Sequence, residues 1–333
     1  MDPLSVSNIT ADAIAIQERD GFRAAGWQKV LAPAKVNLYL AIGAKRPDGY
    51  HSAETVLHAI NIHDTLYIRR KPPTASDFGT GRPVVVMVTC GDVALPPLDS
   101  ADNLAAKAVM ALAEAVGDGD CATDVEIRIE KNIPFQAGLG GASGDAAAAL
   151  VGAARLWGLD PADERIEATA RTLGADVPFF LHGGCAYLDG VGDRFVHALQ
   201  PMKHPLVLVK PAGGVSTAQA YGAFDGDPRP VPEETAARAR EAREAQDVPL
   251  FNNLAAAAHS LLPELQAVGQ WIEQQPGVQR SLLCGSGACT FAPCESFEAA
   301  CAAVAQARKR GWWARATSFG AMGAIAVGTG VQG

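Results

Sequence analysis

The chain has 333 residues, 48% of them apolar and 19% charged, with a formal net charge of −8. That length accommodates about two domains of roughly 150 residues each; the apolar fraction excludes wholesale disorder, and the acidic balance argues against a nucleic-acid-binding surface. No run of about 18 apolar residues is present to span a membrane, and Asp2, Asp12, Glu18 and Asp20 argue against a transit peptide.

Residues 1–28 carry no clear period and are expected to be an extension. From Lys35 to Ile42 the residues alternate, with Val36, Leu38, Leu40 and Ile42 on one side and Lys35, Asn37 and Tyr39 on the other. Residues 65–70 and 84–90 read as strands. Residues 103–116 read as a helix, with Asp102 or Ser100 as its cap, and 125–131 as a strand. An Ala-rich helix closing at Gly158 follows the segment Pro134–Asp145. Further on, the sequence predicts a hairpin over 185–198, a strand over 205–210, a charged surface segment over 225–249 and helix over 250–274. A strand–turn–strand over 281–292, a helix over 296–310 and a last strand pair complete the chain. Strands and helices mix without a βαβ beat, which points to an α+β fold. The seven cysteines, Cys90, Cys121, Cys185, Cys284, Cys289, Cys294 and Cys301, contain no CxxC. They read as reduced thiols of a cytoplasmic protein, and the 284/289/294 run is not a zinc spacing.

Chemistry concentrates in Pro134–Asp145. Gly138, Gly140, Gly141 and Gly144 lie between a strand and a helix, where glycine lets successive backbone N–H groups approach a ligand. The helix N-terminus adds about half a positive charge, so the usual occupant is phosphate. Ser143 can add a hydroxyl to a phosphate or a magnesium shell. The loop lacks the Lys-Ser/Thr of a Walker A motif, and Ser143 stands at the third glycine position of a dinucleotide fingerprint. The other GxGxxG, at Gly328, Gly330 and Gly333, leaves no room for a helix. The competing reading is a plain tight connection.

Three further segments stand in collinear order around this loop: Pro33-Ala-Lys-Val-Asn-Leu38 running on to Arg46-Pro-Asp-Gly-Tyr-His51, Leu173-Gly-Ala-Asp-Val-Pro-Phe-Phe180, and Cys284-Gly-Ser-Gly-Ala-Cys-Thr-Phe291. Together the four resemble the GHMP kinase superfamily over roughly residues 30–320. The pairing of PAKVNL with PDGYH and GADVPFF resembles the member family that phosphorylates a cytidine diphosphate-linked methylerythritol in isoprenoid precursor synthesis. Ala142 replaces a usual Gly, Gly144 the second Ser, and Gln136 stands where a small residue is common; the backbone N–H cradle needs none of these side chains.

The resemblance implies a two-domain α+β fold, with residues 29–198 forming the ATP-binding domain that carries the loop and 199–333 a ferredoxin-like domain. It implies transfer of the ATP γ-phosphate to the substrate's 2-hydroxyl, with Mg²⁺ on ATP. Asp176 is then the base and Lys35 its partner; read alone, Asp176 could cap the next turn and Lys35 could be a solvated strand lysine. Pro134, Gln136, Ala137, Gly138, Leu139, Gly140, Gly141, Ala142, Ser143 and Gly144 would hold ATP, with Asn103, Lys107 and Lys131 nearby and Ser143 as the metal ligand. Asn103 also reads as a helix start. Asn37, Tyr50, His51, Thr217 and Tyr221 would bind the cytidine substrate, with aromatic rings stacking on the base. Tyr50 could equally be a hairpin tyrosine and His51 a satisfied surface histidine. The Gly285–Gly287 turn would pack on the phosphate loop. Alternatives are another small-molecule GHMP kinase acting on homoserine, mevalonate or a sugar, a non-catalytic nucleotide-binding relative, or a structural protein.

Overall fold

A computed structural model describes residues 26–70, 84–90, 102–117 and 125–327, with 84–90 described by backbone alone. Most of the proposed extension (residues 1–25), Ser100, Cys121 and the terminal glycines from Gly328 lie outside the described residues; Trp27 is already buried and Gln28 opens the first strand.

Two long strands, β1 (Gln28–Lys45) and β2 (His51–Arg70), pair antiparallel. The expected alternation over 35–42 is only part of the pattern. β1 is buried on both faces from Ala32 to Ile42, because helices cover one face and the second half of the chain covers the other. Its register against β2 shifts between Asn37 and Tyr39, and Tyr39 joins the same apolar cluster as Leu38. Such an irregularity re-aims side chains locally, and it leaves Lys35 and Asn37 together on the polar side.

β3 (Val84–Cys90) is followed by α1 (Leu104–Val116), β4 (Val125–Lys131), α2 (Gly141–Leu156), α3 (Glu164–Leu173), α4 (Val177–His182) and the hairpin β5 (Cys185–Asp189) and β6 (Arg194–Leu199). The cap of α1 is Asn103, not Asp102: the Asn103 side chain accepts the Ala105 N–H at 2.9 Å. α2 buries ten residues, mostly alanine and glycine, so it lies close against the sheet. A Cβ on Gly152 would come within 2.6 Å of Ile68 Cγ2.

The second half supplies β7 (Pro205–Lys210), α5 (Thr217–Gly226), α6 (Glu233–Glu241), β8 (Phe251–Asn252), α7 (Ala255–Leu261), α8 (Glu264–Glu273), β9 (Leu282–Leu283), β10 (Thr290–Pro293), α9 (Phe297–Lys309), β11 (Trp313–Ser318) and β12 (Ile325–Val327). The continuous helix expected over 250–274 is instead β8 and two helices, interrupted at Pro263, where the ring removes a helical donor. The last two strands do not pair with each other. β11 joins β7, whereas β12 returns to β1.

Two sheets result. One has the order β12-β1-β2-β4-β3, extended by β5 and β6 on β2 and by β8 on β1; the other has the order β11-β7-β10-β9. In the second sheet the strands run fourth, first, third, second in chain order and all neighbours are antiparallel. With α8 and α9 packed against it, this is the expected ferredoxin-like arrangement.

One buried group ties stability to acidity. His58 in β2 is fully buried against the Phe319 ring. Its Nε2 accepts the Met202 N–H at 3.0 Å, so Nδ1 carries the proton and donates to the Ala59 carbonyl at 2.8 Å. Burial lowers its pKa to about 4. A depressed histidine favours the fold when neutral, so its contribution is full above pH 6.5 and is lost as the pH falls toward 4. In urea unfolding, His58→Gln is expected to remove a loss of up to about 3 kcal/mol that the unmodified chain suffers across that window; an unchanged difference between the two proteins from pH 7 to 4 would contradict it.

Candidate active site

The loop from Asn132 to Gly140 connects β4 to α2 and runs beside β1, where the Leu139 carbonyl accepts the Lys35 N–H at 3.0 Å. Gly138 and Gly140 have φ of 72° and 75°, a conformation that favours glycine. A Cβ on Gly138 would sit 1.9 Å from the Cys284 carbonyl oxygen, and one on Gly140 2.5 Å from Phe180 Cζ. The turn at Gly285–Gly287 therefore packs backbone to backbone on the loop, as the resemblance implies. Two N–H groups fasten it, Ala288 to the Gln136 carbonyl at 2.9 Å and Cys289 to the Ala137 carbonyl at 3.1 Å. Asn252 holds the turn from behind, donating to the carbonyls of Leu283 and Gly285.

A cavity of about 410 Å³ opens at the start of α2, lined by Asn103, by Pro134 through Ser143 and by Lys131 and Asp145. The backbone and the helix N-terminus make it an anion site. A second cavity, of about 350 Å³, contains Lys35, Asn37, Thr55, Asp176, Thr217 and Tyr221 and shares Gly138, Gly140 and Ser143 with the first.

In the second cavity Lys35 Nζ donates to Asn37 Oδ1 at 2.8 Å and lies 3.5 Å from Asp176 Oδ2. The Asn37 amide donates to Thr55 Oγ1 at 2.9 Å, and the Thr55 hydroxyl to the Tyr39 carbonyl. Lys35 is therefore held from below and buried, while the Asp176 side chain is 32% exposed toward the cavity. Asp176 stands at the N-cap position of α4 but makes no capping bond, so its carboxylate is not committed to the helix. Thr217 and Ser286 hydroxyls meet at 3.1 Å. Burial and the Asp176 charge push the Tyr221 phenol up to about 12, keeping it neutral.

His51 is buried, not a surface histidine. Its Nε2 lies 2.6 Å from Asp225 Oδ1, and its ring is 5.2 Å from Tyr221. Lys45 meets the same carboxylate at 3.0 Å. Tyr50 is 67% exposed, and among the described residues no ring contact joins it to Tyr221.

Of the residues expected near ATP, Lys107 and Gly144 line neither cavity, whereas Lys131 lines the first. Lys107 is half-exposed beside Asp102. Gly144 is buried under the loop, where a Cβ would lie 2.7 Å from the Pro33 carbonyl; it seats α2 on β1. Lys131 reaches the cavity wall but is engaged by Asp64 and Asp145. Sequence reasoning missed Asp64, Thr55, Asp225 and Asn252. Asp225 falls at the start of the charged surface segment expected over 225–249, and nothing pointed to Asn252.

Comparison with known proteins follows this geometry. Residues 103–184 match the model of the GHMP kinases N-terminal domain. The 4-diphosphocytidyl-2-C-methyl-D-erythritol kinase of Desulfitobacterium hafniense is 38% identical over 267 residues, covering 79% of this chain and 86% of that protein. The enzyme of the same name from Nocardia farcinica is 39% identical over 286 residues, covering 83% and 88%. A crystal structure of 4-(cytidine 5'-diphospho)-2C-methyl-D-erythritol kinase superposes with a TM-score of 0.67 at 32% identity, covering 88% of this chain and 99% of that one. A homoserine kinase from Cytophaga hutchinsonii, 19% identical with a TM-score of 0.66, shares the fold. With glycine loop, paired cavities and both relatives in agreement, the chain belongs to the 4-diphosphocytidyl-2-C-methyl-D-erythritol kinase family of GHMP kinases.

Proposed function

We propose that this chain transfers the γ-phosphoryl group of ATP to the 2-hydroxyl of 4-diphosphocytidyl-2-C-methyl-D-erythritol, giving the 2-phosphate and ADP, in the methylerythritol phosphate route to isoprenoid precursors. The observation that carries this reading is the pair Lys35 and Asp176 in a cavity that meets the glycine-loop cavity across Gly138, Gly140 and Ser143. ATP occupies the first cavity with its phosphates on the loop N–H groups and the N-terminus of α2. The alcohol enters the second cavity, where the Asp176 carboxylate takes the hydroxyl proton. The Lys35 ammonium orients that carboxylate and offsets charge gathering on the transferred group.

Mg²⁺ fits as an ion carried by ATP. Among the described residues no group of three or more His, Cys, Asp or Glu could hold a metal, and magnesium keeps waters and substrate phosphates with few protein ligands. Ser143, on the wall of both cavities, is the hydroxyl that would hold it, and the bound ion neutralises phosphate charge. The cytidine ring lies against Tyr221 and His51, with exposed Tyr50 as the second face. We divide the chain near Leu199, with β8 and β12 returning to the first sheet. A cytoplasmic location suits its five described free cysteines; no described helix is long and apolar enough to cross a membrane.

The first test is ADP release with Mg-ATP and, in parallel, the cytidyl substrate, galactose, homoserine and mevalonate; turnover restricted to the cytidyl substrate is expected, and preference for another alcohol would discard the cytidine site. Asp176→Ala should lower kcat by about 10²–10⁴-fold while calorimetry still detects ATP binding. Gly138→Ala places a methyl against the Cys284 carbonyl, so ATP affinity should fall at least tenfold, about 1.4 kcal/mol. His51→Ala should raise KM for the cytidyl substrate by about five- to 150-fold, the cost of about 1–3 kcal/mol of ring contact; a change in KM for ATP instead would contradict its placement.

A further inference from the structure

We propose that Asp64, which lines neither cavity, is the positioning residue of the nucleotide site: it fixes the entry of the phosphate loop and, through Lys131, the beginning of α2. The proposal rests on the kinase reading for its ligand, ATP.

Asp64 lies in β2 and is fully buried. A buried carboxylate is costly unless donors surround it, and this one is surrounded. Oδ1 accepts the N–H groups of Asn132 at 2.5 Å and Ile133 at 2.8 Å. Oδ2 receives the Lys131 ammonium, which also donates to Asp145 Oδ2 at 2.6 Å. Burial works to lower the Lys131 pKa, but the Asp145 and Asp64 carboxylates overcome it and hold the ammonium above its ordinary value.

The location gives this chain of contacts its meaning. β4 pairs with β2 up to Glu130 opposite Thr65. Lys131 still faces Cys90 of β3; after it the chain leaves the sheet to become the phosphate loop, and its next N–H groups have no strand to bond. The Asp64 side chain takes two of them, so the departure point of the loop is set by one carboxylate. The far end of the loop is set by the same group at one remove, since Asp145 belongs to α2. Lys131 Nζ lies 3.4 Å from the position of a Cβ on Gly141, directly beneath the first residue of α2 and on the wall of the cavity. The loop is thus anchored at both ends through one ammonium shared by two carboxylates. Asp145 Oδ1 is buried without a hydrogen-bond partner. A cluster serving stability alone would be expected to satisfy that oxygen.

Asp64→Asn tests the assignment, since it is nearly isosteric. Its carbonyl can keep both loop N–H groups, but its amide cannot accept the ammonium. ATP affinity by calorimetry on the full chain should fall about fivefold or more, about 1 kcal/mol, with KM for the cytidyl substrate within about twofold of the unmodified protein. Asp64→Ala, which frees both ends, should weaken ATP further. Unchanged ATP affinity in Asp64→Asn would overturn the proposal. So would equal losses for both substrates tracking a fall in Tm, the mark of a merely structural role. If Asp64→Ala does not fold, Asp64→Asn decides. If the unmodified chain binds ATP but does not turn over the cytidyl substrate, the substrate reading fails while the ATP affinities still judge Asp64.

Discussion

Everything at the site depends on the approach of two glycine turns to within backbone contact. Gly138 lies so close to the Cys284 carbonyl that no side chain fits between them, and two backbone hydrogen bonds run from Ala288 and Cys289 into the loop. One turn belongs to the sheet built on β1 and β2, the other to the ferredoxin-like sheet. Their junction closes the gap between the sheets at one line and leaves a cavity on either side of it. A ligand phosphate held by the loop therefore faces the second cavity across only Gly138, Gly140 and Ser143. Phosphoryl transfer needs little covalent chemistry from the protein and much positioning, and this junction is a positioning device.

Charge is placed around that junction with the same economy. Lys35 is buried and Lys131 nearly so, and both are held by carboxylates: Lys35 by one, Lys131 by two. Their surroundings differ in the property that matters. Lys131 is enclosed between two buried carboxylates, which suits a fixed anchor. Lys35 contacts a single, partly exposed carboxylate and a neutral amide, which leaves Asp176 open to an incoming hydroxyl. The pairing of β1 with β2 makes this possible, since the shift after Asn37 keeps Lys35 and Asn37 facing the cavity while Tyr39 turns into the core.

What could be read from the sequence followed local rules. The strand–glycine–helix order around Pro134–Asp145, the strands at 125–131 and 205–210 and the turn at Gly285–Gly287 each carry their signal within a few residues, and the resemblance added the partnership of Lys35 with Asp176. The hidden parts are long-range. β12 pairs with β1 across almost the whole chain, and the periodicity of three residues cannot announce such a partner. Asp64 falls in step with Leu66 and Ile68, on the apolar side of the strand, just before the strand expected over 65–70; only the fold reveals that the phosphate loop departs there and uses the carboxylate. Asn252 and Asn253 fall within the helix expected over 250–274, yet they bond the turn and Ile42. The break of 250–274 at Pro263 was legible from the proline itself, and the continuous helix expected there underweighted it.

α5 joins recognition to chemistry. Thr217, Tyr221 and Asp225 recur every four residues, so they share one face of the helix. Thr217 touches the Ser286 hydroxyl of the glycine turn, Tyr221 lies where the Asp176 charge and the His51 ring both reach it, and Asp225 takes His51 and Lys45. At about 1.5 Å of rise per residue these eight positions span about 12 Å, from the edge of the reacting centre to the proposed cytidine pocket. With the substrate placed as proposed, a single helix face sets the separation between the acceptor hydroxyl and the cytosine ring. An alcohol lacking that distant ring could still enter the Asp176 cavity, but it would have nothing at the Asp225 end to hold it at the correct depth. If the proposed cytidine site holds, selectivity for the cytidyl substrate comes from the length of α5 as much as from the groups that touch the cytosine.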